Sequence, residues 1–172
     1  TSQRGDLKRM KLMNSIHMVS PGTPFIYYGN ELGSRSDKFK DDRRLRVNLD
    51  WSVYQQLSGD AESILSHYKK MIRIRENCTP LQTGNYKKLN TGEPKIWGFI
   101  READDKKALV LVNFDSKPHP VNIDLNSAGL AGRSFTDLTN QSGTKISADK
   151  NSGSLQVENM PELSCIILYF NN

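Results

Sequence analysis

The run Thr23–Gly29 constrains the fold of this chain more than any other segment. It is short, apolar and aromatic, it does not alternate with polar residues, and Pro and Gly residues bound it. Such a run predicts a β-strand that is buried on both faces, as in a parallel sheet. A strand of this kind needs neighbours on both sides, and the rest of the sequence supplies none. We therefore expect roughly the first 75 residues to belong to a larger barrel or sheet.

Two amphipathic helices are expected around this run. Apolar residues recur at three-residue spacing over residues 6–19, which predicts the first helix. A second apolar pattern, over residues 64–75, predicts a helix that has Asp60 as its N-cap and ends before Pro80. Residues 30–58 show no clear period, so we expect an elaborated loop there.

From about residue 80 the sequence predicts an all-β module. Short apolar runs alternate with turn residues at roughly ten-residue spacing, as in β-sandwiches. Apolar and polar residues alternate over 121–125, so one face of that strand should be exposed to solvent. Residues 108–112 are apolar without alternation and should form a central strand. Asp104-Asp105-Lys106 is expected to form a hairpin turn. The expected strands are Tyr86–Leu89, Ile96–Arg101, Ala108–Phe114, Val121–Leu125, Ser134–Asp137, Leu155–Val157 and Ser164–Phe170.

The segment Ser20–Gly33 reads SPGTPFIYYGNELG. It resembles the eighth-strand motif of the α-amylase superfamily, glycoside hydrolase family 13, which runs roughly Pro-Gly-x-Pro-x-x-Tyr-x-Gly-x-Glu-x-Gly. Residues 60–75 resemble the last barrel helix of that family, and Leu81–Tyr86 resembles the start of its C-terminal sandwich, domain C. The resemblance implies an α+β chain in two parts. Residues 1–77 would be the last helix, strand and helix of a (β/α)8 TIM barrel, and residues 78–172 an antiparallel β-sandwich of Greek-key type.

The resemblance also implies a reaction. The family cleaves or transfers α-glucosidic bonds of starch-type or malto-oligosaccharide substrates with retention, which requires two carboxyl groups about 5–5.5 Å apart. In the family the catalytic acids come from barrel strands four, five and seven, and the resemblance implies that these strands lie upstream of Thr1. We therefore expect no catalytic residue in this chain and no activity from it alone. The alternative is a non-catalytic amylase-like protein, or a carbohydrate-binding or structural module.

The loop after the buried run is where the resemblance implies contact with substrate, because active sites of such barrels lie at the carboxyl ends of the strands. The candidate substrate-binding residues are Asn30, Glu31, Arg43, Arg44 and Trp51. Many members carry an acidic residue or Gln where Asn30 stands. Arginine and tryptophan here would bind hydroxyl groups and stack on a glucose ring. The structural alternative is that Glu31 pairs with an arginine to brace the loop, while Trp51 packs at the barrel rim.

Other polar and aromatic residues favour structural roles. Asp41-Asp42 is expected in a solvated loop, because adjacent loop residues seldom converge on one bond. We expect His17, His67 and His119 to be packed or hydrogen-bonded rather than catalytic. Trp97 alternates within a strand, and packing in the sheet is favoured for it over a sugar platform.

Composition narrows the partners and cofactors. The 172 residues carry a net charge of +5, but the basic residues are scattered and no nucleic-acid motif accompanies them, so no nucleic-acid partner is expected. No apolar run approaches the ~20 residues of a membrane span. Cys78 and Cys165 lack ligand spacing, so we expect neither a metal nor a cofactor, while a disulfide between them stays open. The N-terminus does not resemble a signal peptide and reads as internal to a longer chain, which leaves the compartment open. Exposed barrel surface is expected to promote self-association.

Overall fold

A computed structural model of the chain describes residues 3–34, 41–46, 48–140, 144–149 and 151–171, with the backbone alone at 3–6, 44 and 45. Helices occupy the first half of the described chain and strands the second half. Within these residues, no helix is both long and apolar enough to cross a lipid bilayer. The α-helices are α1 (Gln3–Val19), α2 (Trp51–Ser58), α3 (Ile64–Glu76) and α4 (Thr79–Thr83), and two 3₁₀ turns span Asn30–Leu32 and Asp42–Leu45.

Helix α3 confirms the predicted amphipathic pattern but not its predicted start. Its apolar stripe is buried, from Ile64 through Met71. The N-cap is Ser63, whose Oγ accepts a hydrogen bond from Ser66 N at 3.1 Å, so the prediction of Asp60 was wrong. Asp60 instead accepts from the backbone N–H of Glu62 at 2.8 Å and forms the turn before the helix.

Helix α2 lies inside the stretch that was expected to be a loop. Its N-cap Asp50 accepts a hydrogen bond from Ser52 N at 3.0 Å, so a start signal was present. None of the residues of α2 is buried, however. A helix without a buried face leaves no apolar period in the sequence, which is why the periodicity failed to detect it.

The strands form two antiparallel sheets. The larger sheet has the order β1-β2-β3-β8-β5, and the smaller has the order β4-β7-β6. All seven strands predicted for the β module are present, and the prediction missed β6, in which only the first residue is partly buried. The strands are β1 (Asn85–Leu89), β2 (Ile96–Ala103), β3 (Lys106–Asn113), β4 (His119–Asp124), β5 (Ser134–Asp137), β6 (Ile146–Asp149), β7 (Ser154–Met160) and β8 (Ser164–Asn171).

Strand β3 shows how the layers stack. Leu109 and Leu111 point into a core shared with the smaller sheet, whereas Ala108, Val110 and Val112 point into a second core shared with the helices. The larger sheet is therefore the middle of three layers. A strand covered on both faces has no polar face, which accounts for the unbroken apolar run in its sequence.

The run Thr23–Gly29 does not form the β-strand that the sequence predicts. No described strand pairs with it, and its aromatic side chains are exposed, with Phe25 at 79% and Tyr28 at 44%, while Ile26 is half-buried against the core below the helices. The prediction of burial on both faces is wrong for this chain. A strand forms only against a hydrogen-bonding neighbour, and the described residues place none beside this segment.

Two buried arginines join the helices to the larger sheet. Arg101 on β2 donates from Nε to Gly84 O and from Nη1 to Val19 O, each at 3.0 Å. Arg75 on α3 donates from Nη1 to Met18 O. The last carbonyls of a helix lack intrahelical donors and carry the negative end of its dipole, so cations are favoured there. The end of α1 is thus held by both α3 and the sheet.

The two cysteines belong to the core between the larger sheet and the helices. Cys78 and Cys165 are both buried, and no disulfide joins them. Burial raises the pKa of the Cys165 thiol to about 12 and also raises the pKa of Cys78, because an apolar environment disfavours the thiolate. Both behave as small core residues, as the sequence predicted for Cys165.

Candidate functional site

The 3₁₀ turn Asn30–Leu32 places the first two candidate residues. Gly29 and Gly33 flank it with φ of 86° and 64°, left-handed values that favour glycine. A Cβ on Gly29 would lie 3.0 Å from Leu49 Cδ2, so the turn lies directly against the segment that leads into α2. Asn30 is exposed on this turn and Glu31 is half-buried.

Glu31 points inward, toward α1 and α3. Its Oε2 is buried and accepts no hydrogen bond from any described residue. Tyr68 lies nearby, and the pKa of its hydroxyl is raised by burial and, to a smaller extent, by the negative charge of Glu31. Asn14, only 2% exposed, lies beside the Tyr68 hydroxyl and lowers the pKa of Tyr68, but no described residue meets full hydrogen-bond geometry with its side-chain amide. This is a polar cluster in a buried place, and such groups are normally satisfied.

Arg43 lies on the second 3₁₀ turn and is tied to its own segment. Asp41 caps this turn by accepting from Arg43 N at 3.0 Å, and Arg43 Nη2 donates to Asp41 Oδ2 at 2.8 Å. This hydrogen bond holds the pKa of the Asp41 carboxyl below its usual range. The pair is exposed, so solvent screens it. The side chain of Arg44, the next candidate, lies outside the described residues.

Trp51 begins helix α2 and is 65% exposed. Its ring meets that of Tyr54 edge-on, with centroids 6.2 Å apart. Lys69 on α3 places its Nζ 5.6 Å from the centre of the Tyr54 ring. An exposed indole that is steadied by a second ring can stack on a flat ligand.

Sequence reasoning missed a pair of tyrosines beside these residues. The rings of Tyr27 and Tyr28 lie 4.8 Å apart and both are exposed. The pKa of Tyr28 is raised by partial desolvation and by Tyr27, and Arg46 is near enough to oppose this shift. Both tyrosines fall in the run that was expected to be buried, so the sequence pattern hid them.

The three histidines are hydrogen-bonded, as expected. His17 Nε2 accepts from Phe25 N at 3.1 Å, and His67 Nε2 lies 2.9 Å from Ser15 Oγ. His119 Nε2 lies 2.9 Å from Asp115 Oδ2. His17 thus holds the segment that follows α1, His67 joins α3 to α1, and His119 holds the turn that precedes β4.

We call the surface formed by Tyr27, Tyr28, Asn30, Arg43 and Trp51 the rim. It offers amide, guanidinium, hydroxyl and aromatic groups. These groups can donate to hydroxyl oxygens and can stack on a sugar ring. Of the two carboxylates discussed, Glu31 is half-buried and Asp41 is bound by Arg43. The arrangement therefore suits binding of a polyol better than proton transfer.

The fold defines the class of protein: helices packed on an antiparallel β-sandwich of the kind that forms the C-terminal domain of α-amylases. Residues 86–157 match the family model described as "Maltogenic Amylase, C-terminal domain". An α-amylase from H. orenii shares the fold, with a TM-score of 0.73 and 22% identity, over 98% of this chain and 36% of its own.

Relatives in sequence agree with this class. Alpha-amylase 3 of Dictyoglomus thermophilum is 31% identical over 132 residues, which are 64% of this chain and 26% of that protein. A cyclomaltodextrinase of Thermoanaerobacter pseudethanolicus is 33% identical over 117 residues, which are 68% of this chain and 19% of that protein. The chain belongs to the α-amylase family, glycoside hydrolase family 13, and represents the C-terminal part of it. It spans about a quarter or less of these two relatives.

Proposed function

We propose that this chain closes the catalytic barrel of an enzyme that acts on α-glucosidic bonds of starch-type or malto-oligosaccharide substrates. In this proposal residues 1–77 are the last helix, strand and helix of a (β/α)8 barrel, and residues 78–172 are domain C, with Greek-key connections. The reaction proceeds with retention, and the catalytic carboxylates come from residues upstream of Thr1.

One observation supports the barrel assignment above the others: the run Thr23–Gly29 is apolar in sequence and uncovered in structure. Phe25 is 79% exposed, and Met13 on α1 is 67% exposed. Apolar side chains grouped on a surface mark a contact that is yet to be made. Barrel strands on either side would pair the backbone of the run and cover these side chains. For the same reason we expect the chain alone to self-associate.

The rim residues take the role of substrate contacts in this proposal. Asn30 and Arg43 would donate to sugar hydroxyls, with Arg44 beside them, and Trp51 would stack on a ring. Glu31 would hold the turn that carries Asn30, since its carboxylate points toward α1 and α3. These positions follow the carboxyl end of the proposed strand, where substrates of such barrels bind.

The test compares two polypeptides: this chain, and this chain extended at Thr1 by its natural upstream sequence. With a chromogenic malto-oligosaccharide we expect no turnover by the chain alone and turnover by the extended protein. NMR of the first product should show the α-anomer. In the extended protein, Trp51→Ala should raise KM several-fold, and Tyr54→Ala, which removes only the supporting ring, should have a smaller effect.

Three results would contradict parts of the proposal. Turnover by the pure chain would place the catalytic groups inside it. A β-anomeric first product would exclude retention. A folded extended protein that binds malto-oligosaccharides without cleaving them would favour the non-catalytic alternative.

A further inference from the structure

Three neighbouring aromatic side chains lie on the larger sheet, on other elements than the rim residues. Tyr86 on β1, Trp97 on β2 and Phe114 after β3 form what we call the aromatic strip. Tyr86 is 43% exposed and Phe114 is 49% exposed, while Trp97 is half-buried. The rings of Trp97 and Phe114 are inclined by only 27°, with centroids 6.3 Å apart. The strip therefore presents flat apolar surface at the edge of a three-layered fold.

Ring contacts with a buried phenylalanine and two hydrogen bonds hold the strip in place. Phe99, which is fully buried, lies 4.6 Å from the Trp97 ring and 5.2 Å from the Tyr86 ring, centre to centre. Trp97 Nε1 donates to the Tyr86 hydroxyl at 3.3 Å. The backbone N–H of Phe114 donates to Lys95 O at 3.3 Å. Rings fixed in this way lose little conformational entropy when a ligand stacks on them.

A groove of about 870 Å³ runs along Trp97 and Phe114. Its other wall is the end of β1 and the β1–β2 loop, which contribute polar groups from Lys88, Asn90 and Glu93. Asn90 Oδ1 accepts from Gly92 N at 3.0 Å, which orients the carboxamide. The volume lies in the range of ligand-binding clefts, about 300–1,000 Å³. Flat rings beside amide and charged groups suit a ligand that has both apolar C–H faces and hydroxyl groups.

Charge argues for a neutral ligand. Lys88 and Glu93 bring one charge of each sign to the groove, so they cancel. Glu93 is also engaged, because its Oε1 accepts from Lys95 N at 3.1 Å and its Oε2 lies 3.5 Å from His119 Nδ1. A phosphate or an acidic peptide would find little net positive charge here.

We propose that the aromatic strip and its groove form a second carbohydrate site, which holds a neutral α-glucan chain away from the rim. The choice of the α-linkage rests on the proposed function, whereas the presence of a sugar site rests on the strip itself. Trp97 and Phe114 stack on successive parts of the glucan, and Lys88 and Asn90 contact its hydroxyl groups. Tyr86 is a positioning residue that orients the indole through its hydroxyl.

The two tryptophans of the chain make the proposal testable site by site. In Trp51→Phe, Trp97 is the sole indole and reports the strip, whereas in Trp97→Phe the remaining Trp51 reports the rim. Maltoheptaose titrated into Trp51→Phe should change the Trp97 emission with saturation. Adding Phe114→Ala to this background should weaken binding about two- to tenfold, from the worth of one ring contact. Tyr54→Ala alters only the rim and should leave the affinity that is measured at Trp97 unchanged.

Circular dichroism would confirm that each variant is folded. The proposal would be overturned if Trp97 emission stayed constant up to about 10 mM maltoheptaose, because even a weak site should bind at that concentration. An unchanged affinity in Phe114→Ala would also overturn it, as would emission that depends on protein concentration without sugar, which would mark the strip as a protein contact. Equal binding of cellohexaose would overturn the α-linkage. A response from Trp97 without one from Trp51 would support the strip independently of the rim.

Discussion

The substitution Arg101→Met tests whether the end of α1 is held by the larger sheet. Arg101 is 1% exposed and donates to Val19 O and Gly84 O. Methionine keeps most of the aliphatic packing and leaves both carbonyls without this donor. Each stranded acceptor costs about 1–3 kcal/mol. The variant also removes a buried charge. Burial and the nearby Arg75 both lower the pKa of Arg101, so removing this charge is itself stabilising and offsets part of the lost hydrogen-bond energy.

We expect a net destabilisation of about 2–4 kcal/mol, a large share of the ~5–15 kcal/mol typical of a domain. Urea unfolding followed by circular dichroism measures this free energy, and the melting temperature should fall by about 5–15 °C for a chain of this size. Limited proteolysis should cut first near the end of α1.

The matched control is Arg133→Met. Arg133 also donates to a backbone carbonyl, Asp105 O, but at the protein surface, where water can replace it. We expect a change within about 0.5 kcal/mol there. An Arg101→Met variant as stable as the parent would refute the reasoning, because it would show that the desolvation of the guanidinium cancels both hydrogen bonds.

Two further predictions concern a glycine and a histidine. Gly84→Ala should destabilise by about 1–3 kcal/mol in urea unfolding, because the new Cβ would lie 2.5 Å from Pro80 O, whereas Gly59→Ala, with nothing within 4 Å, should be nearly neutral; equal effects would contradict the close approach. His67 has a pKa lowered to about 4 by burial and by Lys11, so its contribution is full above the unfolded pKa near 6.5 and is lost as pH falls toward 4. His67→Gln should therefore remove up to about 3 kcal/mol of the pH dependence between these values, and identical pH slopes in both proteins would exclude this role.

Much of the fold could be predicted from local patterns. The alternation in residues 121–125 and the unbroken apolar run at 108–112 each correctly indicated which faces of a strand are covered. Periodicity likewise located α1 and α3. It failed for α2 and β6, whose side chains are mostly exposed, because a pattern of burial cannot mark an element that buries little.

The site was harder to predict, because its residues depend on neighbours that are distant in the chain. The sequence motif singled out Glu31 as a candidate substrate contact, but only the structure shows that its carboxylate is partly buried near Tyr68. Trp97 was likewise predicted only in part. Packing was favoured for it from sequence, and it does pack on Phe99, yet its other side borders an open groove.

By itself the sequence determined the family and, apart from α2, α4, β6 and the run Thr23–Gly29, the order of helices and strands. These follow from local spacing and from a contiguous motif, which no distant contact alters. Tertiary structure alone decided that this run lies exposed, that Arg75 and Arg101 converge on the end of α1, and that three aromatic side chains form one strip. Tyr86 pairs with Arg101 and Trp97 with Val112, so the three aromatic side chains meet diagonally across neighbouring strands. The pairing register that allows this is a property of the whole sheet.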